Sequence, residues 1–297
     1  MKATDWKLGV STVVWRHKED ILGRQMFEEY KKAGIDCLEI SLNHEDYAKM
    51  DYKKTYELAK EYGVELWSYH LPFVIYDCAN LDANERKALI EYYCDIIKKA
   101  SDIGVKIFVI HPSAEPYTDE ERGDRIKASK EILSALAEFA DKCDSIIAVE
   151  NLPRSCLGNC ISDMKELLSA DDRLKVCFDT NHLLLQDNIQ FIKELGDKIC
   201  TIHVSDYDFL NEKHWFPYEG DIDWIELVTA LEDVGYNGPF MYELRVKAPE
   251  TLIRRDLTLD DYRENYLALI NKKVPKIYGK RNAEKVEKNA YYKTKQF

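Results

Sequence analysis

The chain has 297 residues, 45% of them hydrophobic, with only 12 Gly and 8 Pro. That composition excludes a disordered chain and a disulfide-stapled miniprotein, and it leaves room for a full core. With 54 acidic against 42 basic residues the net charge is −12, a field that on average repels nucleic acid and anionic membrane, so neither is an expected partner.

The charge is unevenly spread: residues 272–297 carry +7 and residues 1–271 carry −19. We therefore expect one domain over residues 1–271 and a basic C-terminal extension over 272–297. The extension reads either as an arm for a partner or neighbouring subunit of a homo-oligomer, or as a solvated tail. No run of 18 apolar residues and no cleavage-site pattern occurs, and eight cysteines lack the spacing of a disulfide framework. A cytoplasmic, reducing location is expected. Cys156 and Cys160 have no second Cys/His pair at zinc-knuckle spacing.

In chain order, periodicity predicts strands at 8–14, 35–40, 64–69, 105–110, 145–149, 174–178, 199–204 and 239–242. Amphipathic runs at 24–33, 52–62, 85–103, 120–142, 162–169, 188–195, 224–234 and 260–271 fill the intervals and follow the last strand. A charged helical stretch, a Gly and an apolar run recur in KKAGIDCLEISL, AKEYGVELWSYH and SDIGVKIFVIHP. Gly just past a helix end is the expected joint, because it enters the left-handed conformation without steric cost. Eight strand-helix units argue for a single (β/α)8 TIM barrel, and no Gly-rich phosphate fingerprint follows the first strand.

In such a barrel the reactive side chains sit at the carboxyl ends of the strands. The predicted exits give Trp15 and His17, Glu39 and His44, His70, His111, Glu150-Asn151, Asp179 with His182, His203 with Asp206, and Glu243 with Arg245, while His214 follows in the seventh loop. Collecting Glu150, Asp179, His203 and Glu243 in one low-dielectric mouth requires positive charge. A divalent cation supplies it; three carboxylates and one imidazole suit Mn²⁺ or Mg²⁺ and tolerate Co²⁺ or Zn²⁺. An ion-pair network with Arg154 and Arg245 is the bland alternative. His70 and His111 read either as a second metal position sharing Glu150 or as substrate contacts, His182 as a donor to a substrate oxygen, and Asp206 and His214 as further substrate contacts. Trp15, Tyr69, Phe73, Tyr207 and Trp215 are candidate walls for a sugar ring, Trp15 and Phe73 first. Arg245 and Arg154 are the nearby groups able to grip an anion.

With these residues in place, the chain resembles the xylose isomerase-like barrel superfamily, in particular its sugar phosphate isomerase/epimerase group. The resemblance spans roughly residues 8–271 and rests on the ordered quartet, on the segments FDTNH and HVSDYD, and on EGDIDW from Glu219. It implies one divalent metal on the quartet, with Glu150 and Glu243 as acid and base on a hydroxy-ketone sugar or polyol. Proton removal would pass through an enediolate, and return to the other face or the neighbouring carbon gives epimerisation or isomerisation. Dehydratases and lyases on the same scaffold start from the same proton removal. The ketose 3-epimerases of the group carry a glutamate and an arginine where this chain has Cys156 and Phe209. The superfamily also contains apurinic endonucleases that use three zinc ions. There, His70, His111 and Glu150 would match one position, the quartet a second, and His182, Glu212 and His214 a third.

Overall fold

The computed structural model describes residues 2–15, 20–115 and 117–286. Eight parallel strands, β1 (Leu8–Ser11), β2 (Cys37–Ile40), β3 (Glu65–His70), β4 (Ile107–Ile110), β5 (Ile146–Glu150), β6 (Lys175–Asp179), β7 (Ile199–His203) and β8 (Phe240–Tyr242), run in the order β7-β6-β5-β4-β3-β2-β1-β8. Just past β7, Val204 N donates to Met241 O (2.8 Å) and Glu243 N donates to Val204 O (3.2 Å), which joins the two ends of the sheet. The chain is the single (β/α)8 barrel that the alternating pattern predicts. Eight helices cover it: α1 (Arg24–Ala33), α2 (Tyr52–Tyr62), α3 (Ala83–Asp102), α4 (Asp119–Lys142), α5 (Ile161–Leu168), α6 (Asn188–Leu195), α7 (Trp224–Asp233) and α8 (Leu259–Ile270).

Local chemistry sets the helix ends. Asp51, Asp82, Asp187 and Asp223 each accept a backbone N–H from the first turn of α2, α3, α6 and α7, satisfying donors that have no intrahelical partner. At the other end, Gly34 and Gly63 stop α1 and α2 at φ 74° and 67°, the left-handed conformation the recurring phrase implies.

Alternation along the strands sorts side chains between two apolar clusters. Phe108, Ile110, Ile147, Val149, Val176 and Phe178 join the large cluster between sheet and helices. Ile107, Val109, Ala148 and Cys177 form a small one inside the barrel, with Trp67 and Cys200 against it. Because side chains alternate with period two, Glu150 continues the inward series from Ala148, and Asp179 continues it from Cys177. The barrel filling therefore ends, at the carboxyl end, in carboxylates.

The segment beginning at residue 272 is docked on the barrel as far as it is described. Lys280–Arg281 (β10) pairs antiparallel with Leu252–Ile253 (β9), and Tyr278 meets Phe216 edge-on at 5.9 Å. Arg281 lies over Trp215 and reaches Asp221 at 2.5 Å. His17 and residues 287–297, which include the end of the basic extension, lie outside the described residues. No described helix is long and apolar enough to cross a membrane.

Beneath this strap, Arg254 Nε sits 2.9 Å from Glu219 Oε1 with both side chains buried. Removing one partner of such a pair strands a charge in the interior. Arg254→Met should cost about 3–5 kcal/mol and lower Tm by on the order of 10 °C, and adding Glu219→Leu should recover most of that. A loss in Arg254→Met of under about 2 °C would contradict a structural role for the pair.

Candidate metal centre and active-site cavity

His203, the last residue of β7, is the hub of the mouth. Its imidazole is fully buried and has four carboxylates around it. Glu243 Oε2 lies 3.0 Å, Glu150 Oε1 3.3 Å and Asp179 Oδ2 3.9 Å from Nδ1, while Glu39 Oε1 lies 3.1 Å from Nε2. Glu39 Oε2 also accepts from Ser68 Oγ at 2.9 Å. The two ring nitrogens are thus divided: Nε2–H donates to Glu39, while Nδ1 faces Glu150, Asp179 and Glu243, donating to them while the ring is charged and free to offer a lone pair once a cation replaces that proton. A carboxylate behind a ligating imidazole is the usual way its tautomer and ring angle are fixed.

The quartet Glu150, Asp179, His203 and Glu243 offers ligand atoms that all lie within 4.8 Å of one another. Asp179 Oδ1 accepts from Asn181 N at 2.6 Å, but Asp179 Oδ2 is buried with no hydrogen-bond partner. An orphaned carboxylate oxygen pointing into a ring of hard donors fits a divalent cation. Burial pushes the Asp179 carboxyl up to about 6 against the pull of His182, and Glu150 and Glu243 add to the push. Burial opposes ionisation of Glu150 and Glu243 as well, yet His203 overcomes it in both; Glu150, helped by His111, is held well below the usual range and Glu243 falls to about 2. Without a metal, the imidazoles supply the compensating charge.

Three more histidines share one arrangement. Nδ1–H of His70, His182 and His214 donates to the backbone carbonyls of Leu71 (2.9 Å), Asn151 (2.9 Å) and Glu243 (3.3 Å). A carbonyl only accepts, so each Nε2 is turned toward the cavity side. His70 Nε2 and His111 Nε2 both approach Glu150 Oε2, at 3.1 and 3.2 Å. His182 Nε2 and His214 Nε2 both approach Glu212 Oε1, at 3.7 and 2.8 Å. In each set the ligand atoms again lie within 4.8 Å of one another. Burial works against a charge on His182, but Asp179, Glu212 and Glu150 outweigh it and raise its pKa to about 10.

These side chains open into a cavity of about 410 Å³ lined by Val13, His70, Phe73, His111, Glu150, His182, Glu212, Lys213, His214, Glu243, Leu244 and Arg245, with Lys247, Ala248 and Pro249 at one side. Phe73 stacks on His111 with ring centroids 4.1 Å apart. The expected residues His70, Phe73, His111, His182, His214 and Arg245 therefore come together at one mouth.

Five residues expected at the mouth lie elsewhere. Trp15 does not line the cavity; it is buried edge-on against Tyr30 at 6.0 Å, and Val13 takes the wall position on that side. Asp206 is also fully buried. Its oxygens accept from Tyr207 N, Tyr218 N and Trp224 Nε1, each at 2.8 Å, and from Ile222 N at 3.2 Å. Asp206 anchors the loop that returns through Gly220-Asp221-Ile222, where a Cβ on Gly220 would collide with its carboxylate. Tyr69, Tyr207 and Trp215 are likewise core residues. Sequence reasoning named Glu39 at a strand exit without giving it a role; a carboxylate inside the apolar run CLEI was the available signal. Lys213 and Lys247 gave no sequence signal, because loop geometry alone brings them to the cavity.

A relative in Methanocaldococcus jannaschii, an uncharacterized protein, is 25% identical over 91% of this chain and 92% of its own length. A D-psicose 3-epimerase of Enterocloster bolteae is 24% identical over 80% of this chain and 85% of its own. A probable endonuclease 4 of Thermoplasma acidophilum is 26% identical over 50% of this chain and 54% of its own. The crystal structure of a D-tagatose 3-epimerase-like protein superposes with a TM-score of 0.74 at 23% identity, covering 90% of this chain and 98% of that one. The family model of the xylose isomerase-like TIM barrel matches residues 27–260; by that match, and by the barrel it has, the chain belongs to the xylose isomerase-like TIM barrel family.

Proposed function

We propose that the chain is a divalent-metal-dependent isomerase or epimerase that moves a proton at the carbon beside the carbonyl of a hydroxy-ketone sugar or polyol. The observation that carries this reading is the buried quartet with its orphaned Asp179 oxygen, and the D-psicose 3-epimerase relative supports the reaction class. Glu150, Asp179, His203 and Glu243 would hold the cation, Mn²⁺ or Mg²⁺ by donor type, and when bound it supplies a Lewis acid that withdraws charge from the carbonyl oxygen and acidifies the adjacent C–H.

The remaining work falls to side chains. Glu150 and Glu243 come from strands on opposite sides of His203, at 3.3 and 3.0 Å from its Nδ1, and both are held ionised. One accepts the proton from carbon and the other returns one, to the opposite face in epimerisation or to the neighbouring carbon in isomerisation. His182, with Nδ1 tied to Asn151 O, presents Nε2 as a cationic donor to a substrate oxygen. Phe73, Val13 and Leu244 supply apolar wall and limit water at the reacting carbon. Cys156 and Phe209, at the two positions where the ketose 3-epimerases carry glutamate and arginine, do not line the cavity, which favours a substrate other than a free ketohexose. Loss of a hydroxyl from the carbon next to the same carbanion is dehydration, the runner-up chemistry.

Glu150→Gln and Glu243→Gln should each lower solvent-deuterium incorporation beside the carbonyl by roughly 10²–10⁴-fold, read by NMR with manganese-loaded protein and a panel of ketoses and inososes. Near wild-type exchange in either variant removes that residue from the reaction.

A second reading, a zinc hydrolase of apurinic DNA, is favoured by the presence of His70–His111–Glu150 and His182–Glu212–His214 beside the quartet. Against it, Arg154 Nη1 lies 2.5 Å from Glu212 Oε2 and already compensates that carboxylate, and the net charge opposes a phosphate backbone. Zinc-loaded protein should leave an abasic duplex intact; cleavage that the His214→Ala variant loses would replace the first reading with the second.

A further inference from the structure

The floor of the cavity is carboxylate and imidazole, but its rim beyond β8 is basic. Arg245 and Lys247 both line the cavity and are exposed to solvent. Among the described residues, neither makes a hydrogen bond or a salt bridge with another protein group. Arg154, the other guanidinium of this region, differs: it is held between Glu115 Oε1 at 2.6 Å and Glu212 Oε2 at 2.5 Å.

The segment that carries these two cations is fixed from below. Val246, between them, packs on the core, and its carbonyl accepts from Leu257 N at 2.9 Å and Arg254 Nη1 at 3.2 Å. Ala248 N donates to Asp256 Oδ1 at 3.0 Å. With Val246 turned inward, its two neighbours are left on the cavity side. Lys213, from the seventh loop, lines the same cavity.

A protein of net charge −12 that leaves an arginine and a lysine unpaired over the cavity that Glu150 and Glu243 of the quartet line has left charge for a ligand to meet. A guanidinium presents a planar fork suited to a carboxylate or a phosphate, and an ammonium beside it adds a point charge. We infer that the substrate is an anionic sugar or polyol derivative, a sugar acid or a phosphate ester. Its charged group lies between Arg245 and Lys247, and its hydroxy-ketone end faces the carboxylate floor. The placement of the ketone rests on the proton-transfer reading above; the anion subsite stands on the rim alone. The same local charge counters the repulsion that an acidic body exerts on an approaching anion, so binding should weaken as salt rises.

The test is calorimetric titration of the magnesium-loaded chain with three probes that lack a ketone: sorbitol, sorbitol 6-phosphate and gluconate. We expect at least one of the two anions to bind roughly tenfold or more tighter than sorbitol, with the advantage reduced at high salt. The preferred anion distinguishes a phosphate ester from a carboxylate. In the Arg245→Gln/Lys247→Gln variant the advantage should fall to within about threefold, and each single variant should lose part of it. These side chains are exposed, so the Tm of each variant should match the wild type. Equal binding of all three probes, or an advantage that survives the double substitution, would overturn the inference. Absence of deuterium exchange with every ketone while the anion advantage persists would instead overturn the proton-transfer reading and leave the anion subsite standing.

Discussion

One buried imidazole surrounded by four carboxylates is the constraint on which the rest of the mouth depends. Glu39, Glu150, Asp179 and Glu243 each bring an oxygen within 3.9 Å of His203, in a place from which water is almost excluded. Desolvating that many like charges is unfavourable unless positive charge is held among them. Protonated imidazoles supply some of it in the free protein, and a divalent cation on the quartet would supply it better. The division of the His203 nitrogens between Glu39 and the quartet is what makes the second solution available.

The barrel delivers these groups by strand alternation rather than by any local motif. The inward series on β5 runs through Ile146 and Ala148 and ends in Glu150, and on β6 the apolar Cys177 is followed by Asp179. Asn151 laces the two ends together, donating to Asp179 O at 2.9 Å and accepting from Asp179 N at 2.8 Å. Loops then set what surrounds the floor. Asn181 Oδ1 accepts from Lys213 N and His214 N at 2.7 and 3.2 Å, so the FDTNH segment positions the seventh loop. Asp206 pins the return of that loop, and the strap formed by β9 and β10 covers it from outside. A mouth held this firmly can be lined by charged side chains that are free to meet a ligand.

The eight strands, the eight helices and the identities of most floor residues were legible because each rests on a local rule. Periodicity marks the elements, and a charged residue that ends an apolar strand has few structural explanations. The loops were less legible, because their geometry is set by contacts far apart in sequence. Asp206 shares its strand-exit position with true mouth residues, and only its four donors, three of them 12 to 18 residues away, reveal an anchor. Trp15 is buried rather than exposed to the mouth for a reason that sequence does not carry: an aromatic beside a mouth and an aromatic beneath it have the same sequence spacing. Glu39 was visible, but its partner His203 is 164 residues distant, and no local pattern joins them.

The account stands or falls on whether the quartet holds a metal. Elemental mass spectrometry of the purified chain, scaled to protein concentration and set beside the His203→Ala variant, measures this directly. The account predicts about one equivalent of manganese, magnesium or cobalt per chain in the wild type, with loss of that equivalent in the variant. A wild-type chain that binds polyols yet retains no divalent ion after metal reconstitution, or a variant with undiminished metal content, would contradict it.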